Sequence, residues 1–211
     1  MSEALRHLRR VDPVMAQLIR RAGPYAVRPV RGAGAYQALV EAVAHQQLTG
    51  KAARTILGRF FALYGIDCCP EASRLVGTPD EALRGCGFSR AKTASLKDIA
   101  ARALDGTIPP RRSLARMKDE AIVERLIAAR GVGRWTVEMF LMFTLGRPDV
   151  LPVDDYGVRL GYKIAYGKRT LPKPKALAKF GERWAPYRTT ASWYLWRAVD
   201  LSRAGKLGSI D

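Results

Sequence analysis

What the chain has least of narrows its chemistry first. Only three of its 211 residues are cysteines, Cys68, Cys69 and Cys86, and only two are histidines, His7 and His45. Adjacent thiols make a poor structural disulfide, so a reducing compartment suits all three cysteines. Three thiols also fall short of the four that an iron–sulfur cluster takes. Two histidines far apart give no zinc-type spacing, so no metal held by side chains and no cofactor is expected. Acidic residues are scarce, 19 against 36 Lys plus Arg, leaving a formal charge of +17. Such a surplus points to a polyanionic partner, either nucleic acid or an anionic membrane surface. The membrane reading is the weaker one. No apolar stretch approaches the roughly 20 residues of a span, and no strongly basic amphipathic helix stands out. The first ten residues, MSEALRHLRR, contain no apolar signal-peptide core. An intracellular protein located with the genome, in nucleoid or nucleus, is the expectation.

Strand patterns are missing too. No period-2 alternation of useful length and no repeat at solenoid spacing occurs, so the chain reads as almost all helix. Asp12-Pro13 starts a helix that stops at Gly23, and residues 24–34, with Pro24, Pro29, Gly32 and Gly34, form a linker. Helical runs follow at about 35–48 and 51–64. Thr78-Pro79 starts the next, with Glu81 in the capping-box position. Ser89 opens a helix ending at Gly106, and residues 107–113 are a Pro/Arg loop. Further helices are expected at about 117–129, 134–145, 155–166, 175–184 and 188–203. The length allows one domain, or two small lobes sharing a core.

The densest signal is LIAARGVGRWTVEMFLMFTLGRPDVLPVDDYGVRL, residues 126–160. Gly131 and Gly133 suit a tight helix-to-helix turn and leave its amides bare. Bare amides at the start of the helix beginning near Arg134 make an anion site, and phosphate is the obvious anion for so basic a chain. Asp154-Asp155 then opens a third helix. This is a hairpin for a nucleic-acid backbone followed by an acid for chemistry on it.

That segment, together with AYQALVEAVAHQQLTGKAA (35–53), LRGCGFSRAKTASLKDIA (83–100) and ERWAPYRTTASWYLWRA (182–198), resembles the helix-hairpin-helix DNA glycosylases. Within them it is most similar to the 3-methyladenine DNA glycosylase II group. The resemblance implies an all-α, two-lobed fold forming a single glycosylase unit, with the DNA cleft between the lobes. The lobes would be 35–150, containing the hairpin 126–140, and 1–34 with 151–211. The N-terminal α/β domain of larger members is expected to be missing. The implied activity is hydrolysis of the N-glycosidic bond of alkylated purines such as 3-methyladenine and 7-methylguanine in duplex DNA. The partner would be double-stranded DNA carrying damaged bases, with no membrane, and the protein a monomer.

The family pattern assigns catalysis to Asp155, whose charge would stabilise an oxocarbenium-like sugar and orient or deprotonate water. Asp154 would cap the helix or assist. Where strand-nicking relatives carry a Schiff-base lysine, this chain has Trp135, and a Trp cannot be a nucleophile. A monofunctional enzyme follows. Trp135, Tyr156 and Trp196 match base-pocket positions, and aromatic faces attract the cationic purines that alkylation makes. The backbone of Gly131, Val132 and Gly133 would hold a phosphate, and the resemblance implies a monovalent cation at the hairpin carbonyls. Arg134 would add charge there, and Arg90 and Lys92, after Gly87, would form a second anchor. Gln46, Gln47 and Leu48 occupy the position of the wedge that fills the gap left by an everted base.

Blander readings of the same residues exist. Asp154 and Asp155 also fit plain helix caps. Trp193 and Trp196, three apart, also fit core packing. The glutamines also fit a solvated helix end. A glycosylase for other damaged bases, or a non-catalytic helix-hairpin-helix protein, would share much of this sequence.

Overall fold

Apolar residues spaced three and four apart, cut by Gly and Pro, become short helices with identifiable ends. The computed structural model describes residues 2–30 and 32–207, and among them there is no β-strand. The helices are α1 (Glu3–Val11), α2 (Pro13–Ala22), α3 (Ala35–His45), α4 (Gly50–Ala62), α5 (Ala72–Gly77), α6 (Asp80–Gly85), α7 (Arg90–Leu104), α8 (Arg111–Leu114), α9 (Asp119–Leu126), α10 (Arg134–Phe140), α11 (Tyr156–Ala165), α12 (Pro174–Gly181) and α13 (Arg188–Arg203). A π turn (Leu141–Leu145) continues directly from α10, and a 3-10 turn (Glu182–Trp184) follows α12.

The chain divides into two compact units, Val30–Phe140 and Met1–Pro29 with Leu141–Asp211. Residues 141–150, expected with the hairpin, therefore group with the terminal segments. Hydrogen bonds give the reason. Thr189 N donates to the Pro148 carbonyl at 3.0 Å, and Thr189 Oγ1 donates to the Arg147 carbonyl at 2.6 Å. Asp149 receives Arg188 Nε and a terminal guanidinium nitrogen at 2.7 and 2.8 Å. This two-pronged contact outweighs the desolvation that would raise the carboxyl, and holds it below its ordinary range. Met1 and residues 208–211 lie outside the described residues.

In the unit Val30–Phe140, α7 packs against α3, α5 and α6. Leu39, Val43, Phe60, Leu83, Leu96 and Ile99 are fully or almost fully buried. Phe60 meets Tyr64 and Phe88 edge-on, at 5.5 and 5.4 Å between ring centres.

In the other unit α13 lies against α11, α2 and α1. A Cβ on Gly161 would sit 2.0 Å from the carbonyl oxygen of Leu195, so only glycine permits this approach of α11 to α13. Asp12, buried to 1 % exposure, ties the unit together. Its carboxylate caps α2 through Met15 N at 3.0 Å and accepts from Tyr166 OH and Trp184 Nε1 at 2.6 and 2.9 Å.

Two local readings need correcting, and the first residues add a helix: α1 forms there, with Glu3 in its first turn, Arg9 and Arg10 in its last, and Leu8 buried. Thr78 and Glu81 make no capping box. Pro79 is the N-cap of α6, and Thr78 Oγ1 donates to the Arg74 carbonyl at 2.8 Å and meets Tyr64 OH at 2.6 Å. The helix expected over 35–48 stops at His45, because Gln46 is extended and Gln47 takes a left-handed φ of 57°.

Gly161→Ala is expected to cost about 3 kcal/mol through overpacking against backbone that cannot retreat. In calorimetry the melting midpoint should fall by roughly 6–12 °C. An unchanged midpoint would mean that α11 and α13 are not held at this distance.

Candidate functional site

The loop before α11 is fixed at both ends. Gly146 (φ 73°) ends the π turn, and Arg147 N reaches back to the Leu141 carbonyl at 2.8 Å. Downstream, the Thr189, Ser192 and Arg188 contacts hold residues 147–150 to the start of α13, with Val150 N donating to Thr189 Oγ1 at 3.0 Å. The chain then turns at Pro152, whose carbonyl accepts from Asp155 N at 3.0 Å. Asp155 becomes the N-cap of α11.

One oxygen of Asp155 carries two bonds. Oδ1 accepts from Val158 N at 2.7 Å, the cap, and from Trp196 Nε1 at 2.8 Å. Those donors and the positive end of α11 complement a negative charge there. Gly157 makes room for the second bond, since a Cβ on it would sit 2.7 Å from Trp196 Cδ1 and 3.1 Å from Asp155 Oδ1. Phe143, in the π turn, lies against the Trp196 indole at 5.9 Å between ring centres. Asp155 is only half-buried, whereas Asp154 is exposed. Tyr156 is 62 % exposed. Trp193 packs instead on Tyr25 and Tyr194, as core.

In the unit Val30–Phe140, the turn between α9 and α10 carries the expected backbone angles, with Gly131 at φ 76°. A Cβ there would meet Ser95 Oγ of α7 at 2.6 Å. Val132 N is committed to the Ala129 carbonyl at 3.1 Å, and the Gly131 carbonyl accepts from Gln46 Nε2 at 2.9 Å. Arg134 forms an ion pair with Glu120. Trp135, 49 % exposed, lines a mainly apolar cavity of about 430 Å³ together with His45, Gln46, Gln47 and Met139. Such a volume suits a small planar ligand.

The second anchor is built around Gly87 (φ 111°), with Ser89 capping α7 through Lys92 N at 3.2 Å. Arg90 is exposed there. Lys92 is turned inward. Its ammonium donates to the carbonyls of Ala44 and Gln46 at 2.9 and 2.7 Å, and burial lowers its pKa from the ordinary lysine value. Gln47 and Leu48 are exposed beyond it. Asp155, Tyr156 and Trp196 thus share one unit, and the hairpin, Trp135, the glutamines, Gly87, Arg90 and Lys92 share the other.

Sequence reasoning missed Gly157, Gly161 and Phe143. The two glycines, four apart within a helical run, were a readable sign of a close helix approach. Nothing in the sequence marks the π turn that places Phe143.

Known proteins resemble this chain along nearly its full length. A model of the HhH-GPD superfamily of base excision DNA repair proteins matches residues 40–186. DNA-3-methyladenine glycosylase 1 of Schizosaccharomyces pombe is 37 % identical over 203 residues, covering 96 % of this chain and 89 % of the relative. The solved structure of S. pombe 3-methyladenine DNA glycosylase in complex with abasic DNA superposes with a TM-score of 0.83 at 38 % identity, covering 95 % of this chain and 98 % of that one. A DNA-3-methyladenine glycosidase structure from Bacillus halodurans gives 0.89 at 34 % identity, over 99 % and 94 %. With the hairpin, the capping Asp155 and these likenesses together, the chain belongs to the HhH-GPD superfamily of base excision DNA repair proteins.

Proposed function

We infer that this protein is a monofunctional DNA glycosylase that hydrolyses the N-glycosidic bond of alkylated purines in duplex DNA, acting as a monomer. The observation that carries the reading is Asp155, a carboxylate at a helix start with two donors fixed on one oxygen. The likeness to 3-methyladenine DNA glycosylases supports the substrate class.

Alkylation at N3 or N7 makes a purine cationic. As its bond to C1′ breaks, the base takes the electron pair and departs neutral, so no general acid is needed. Positive charge develops on the deoxyribose, and the Asp155 carboxylate offsets it. Water adds its oxygen to C1′ and gives up a proton to the carboxylate or to solvent. The donors on Oδ1 hold the carboxylate in place before substrate arrives. Tyr156 and Trp196, in the same unit as Asp155, supply aromatic faces for a flipped cationic base. The hairpin backbone at Gly131 and Gly133 takes a phosphate, with Arg134 and Arg90 adding charge, and the hairpin carbonyls would hold a monovalent cation beside it. The surplus of 36 basic over 19 acidic residues favours the duplex in a salt-dependent way.

Asp155→Asn is the discriminating variant, because asparagine still accepts both hydrogen bonds at Oδ1 and still caps α11 but carries no charge. Single-turnover release of 7-methylguanine should fall about 100- to 1000-fold, with binding to an abasic-analogue duplex kept within a few fold. Excision at the parental rate would leave Asp155 a cap and nothing more.

Trp196→Phe keeps a ring beside Phe143 and deletes the donor to Asp155. A hydrogen bond to a charged group is worth about 1.5–3 kcal/mol, so the excision rate should drop roughly tenfold or more. Equal rates would assign Trp196 to packing alone.

With Trp135 where a Schiff-base lysine would sit, methylated duplex should break only after alkali, and borohydride should trap no protein–DNA adduct. Strand cleavage without alkali would contradict this reading.

A further inference from the structure

One face of α7 grips two separate loops of its unit. Lys92, Ser95 and Asp98 recur every third residue, so they line one side of the helix. Lys92 Nζ donates to the Ala44 and Gln46 carbonyls at the end of α3. Ser95 Oγ lies directly beneath Gly131, where a Cβ would approach to 2.6 Å. Asp98 Oδ2 accepts from Arg130 N at 2.7 Å, and from Arg102 Nε at 2.8 Å. The loop after α3 and the turn before α10 are therefore seated side by side on α7. Gln46 closes the set, its side-chain amide donating to the Gly131 carbonyl at 2.9 Å. Beyond it stand Gln47, the single non-glycine residue with positive φ among the described residues, and Leu48, 38 % exposed.

This arrangement separates three residues that the sequence groups together. A side chain bonded to the hairpin turn is poorly placed to enter a base stack, whereas Gln47 and Leu48 are exposed. A left-handed residue without glycine is costly and persists only where its surroundings hold it. The holding groups here are Lys92 and Gln46.

We propose that Gln46 is a positioning residue, a strut that couples the Gln47–Leu48 tip to the phosphate-gripping hairpin, and that Lys92 fixes the strut's base rather than meeting DNA. Capture of the backbone and insertion of the tip then stabilise one another. The proposal rests on the reading of the protein as a glycosylase acting on duplex DNA.

A double-mutant cycle tests it. Affinities of the full chain, Gln46→Met, Gln47→Ala and the double variant are measured for a duplex holding a tetrahydrofuran abasic-site analogue, and melting midpoints are recorded beside them. Gln46→Met keeps length but cannot donate. It should weaken binding about tenfold with a midpoint within a few degrees of the parent. In the double variant the loss should fall short of the product of the single losses by threefold or more, the mark of coupled residues. Gln46→Glu, of equal size with an acceptor in place of the donor, should reproduce the pattern and serves if the Met variant folds poorly. Multiplicative losses, or parental affinity in Gln46→Met, would overturn the strut. If the parent protein binds this duplex no better than undamaged DNA, the glycosylase reading itself fails, and the strut with it.

Discussion

The approach of α11 to α13 at Gly161 is the constraint on which the surroundings of Asp155 rest. A helix backbone standing against the Leu195 carbonyl leaves no room for a methyl group, and interiors packed this densely transmit displacement rather than absorb it. One turn earlier on α11, Gly157 admits the edge of the Trp196 indole. The consequence appears at the mouth of the helix, where the same indole reaches Asp155. A small shift between the two helices would be felt first as a lengthened bond at that carboxylate.

In both units the scarce acids are held by several donors each. Asp12, Asp98, Asp149 and Asp155 each receive a backbone amide and at least one side-chain donor. Of the four only Asp12 is buried, and the other three are partly exposed.

Much of this was legible in the sequence, and the reasons differ from place to place. Helix starts at Asp12-Pro13, Ser89 and Asp155 were readable because capping is local chemistry, a side-chain oxygen meeting an amide three residues on. The hairpin was readable because Gly131 needs a positive φ that few residues tolerate. Lys92 was legible as part of a second anchor and Gln46 as part of a wedge, yet neither in its orientation. A lysine after a turn looks like any solvated cation until two carbonyls of another helix are found around it. The Trp196–Asp155 bond spans 41 positions of chain, and no periodicity reports a contact so remote. The π turn escaped notice because a single wide turn leaves the apolar pattern on either side intact.

Two donors, the Val158 amide and the Trp196 indole, converge on a single oxygen of the Asp155 carboxylate. Rotation about the bond to its β-carbon would break both contacts at once, so the group is orientationally locked by the fold. The direction of its charge is then a property of the resting protein, and little dipolar rearrangement around it remains to be done.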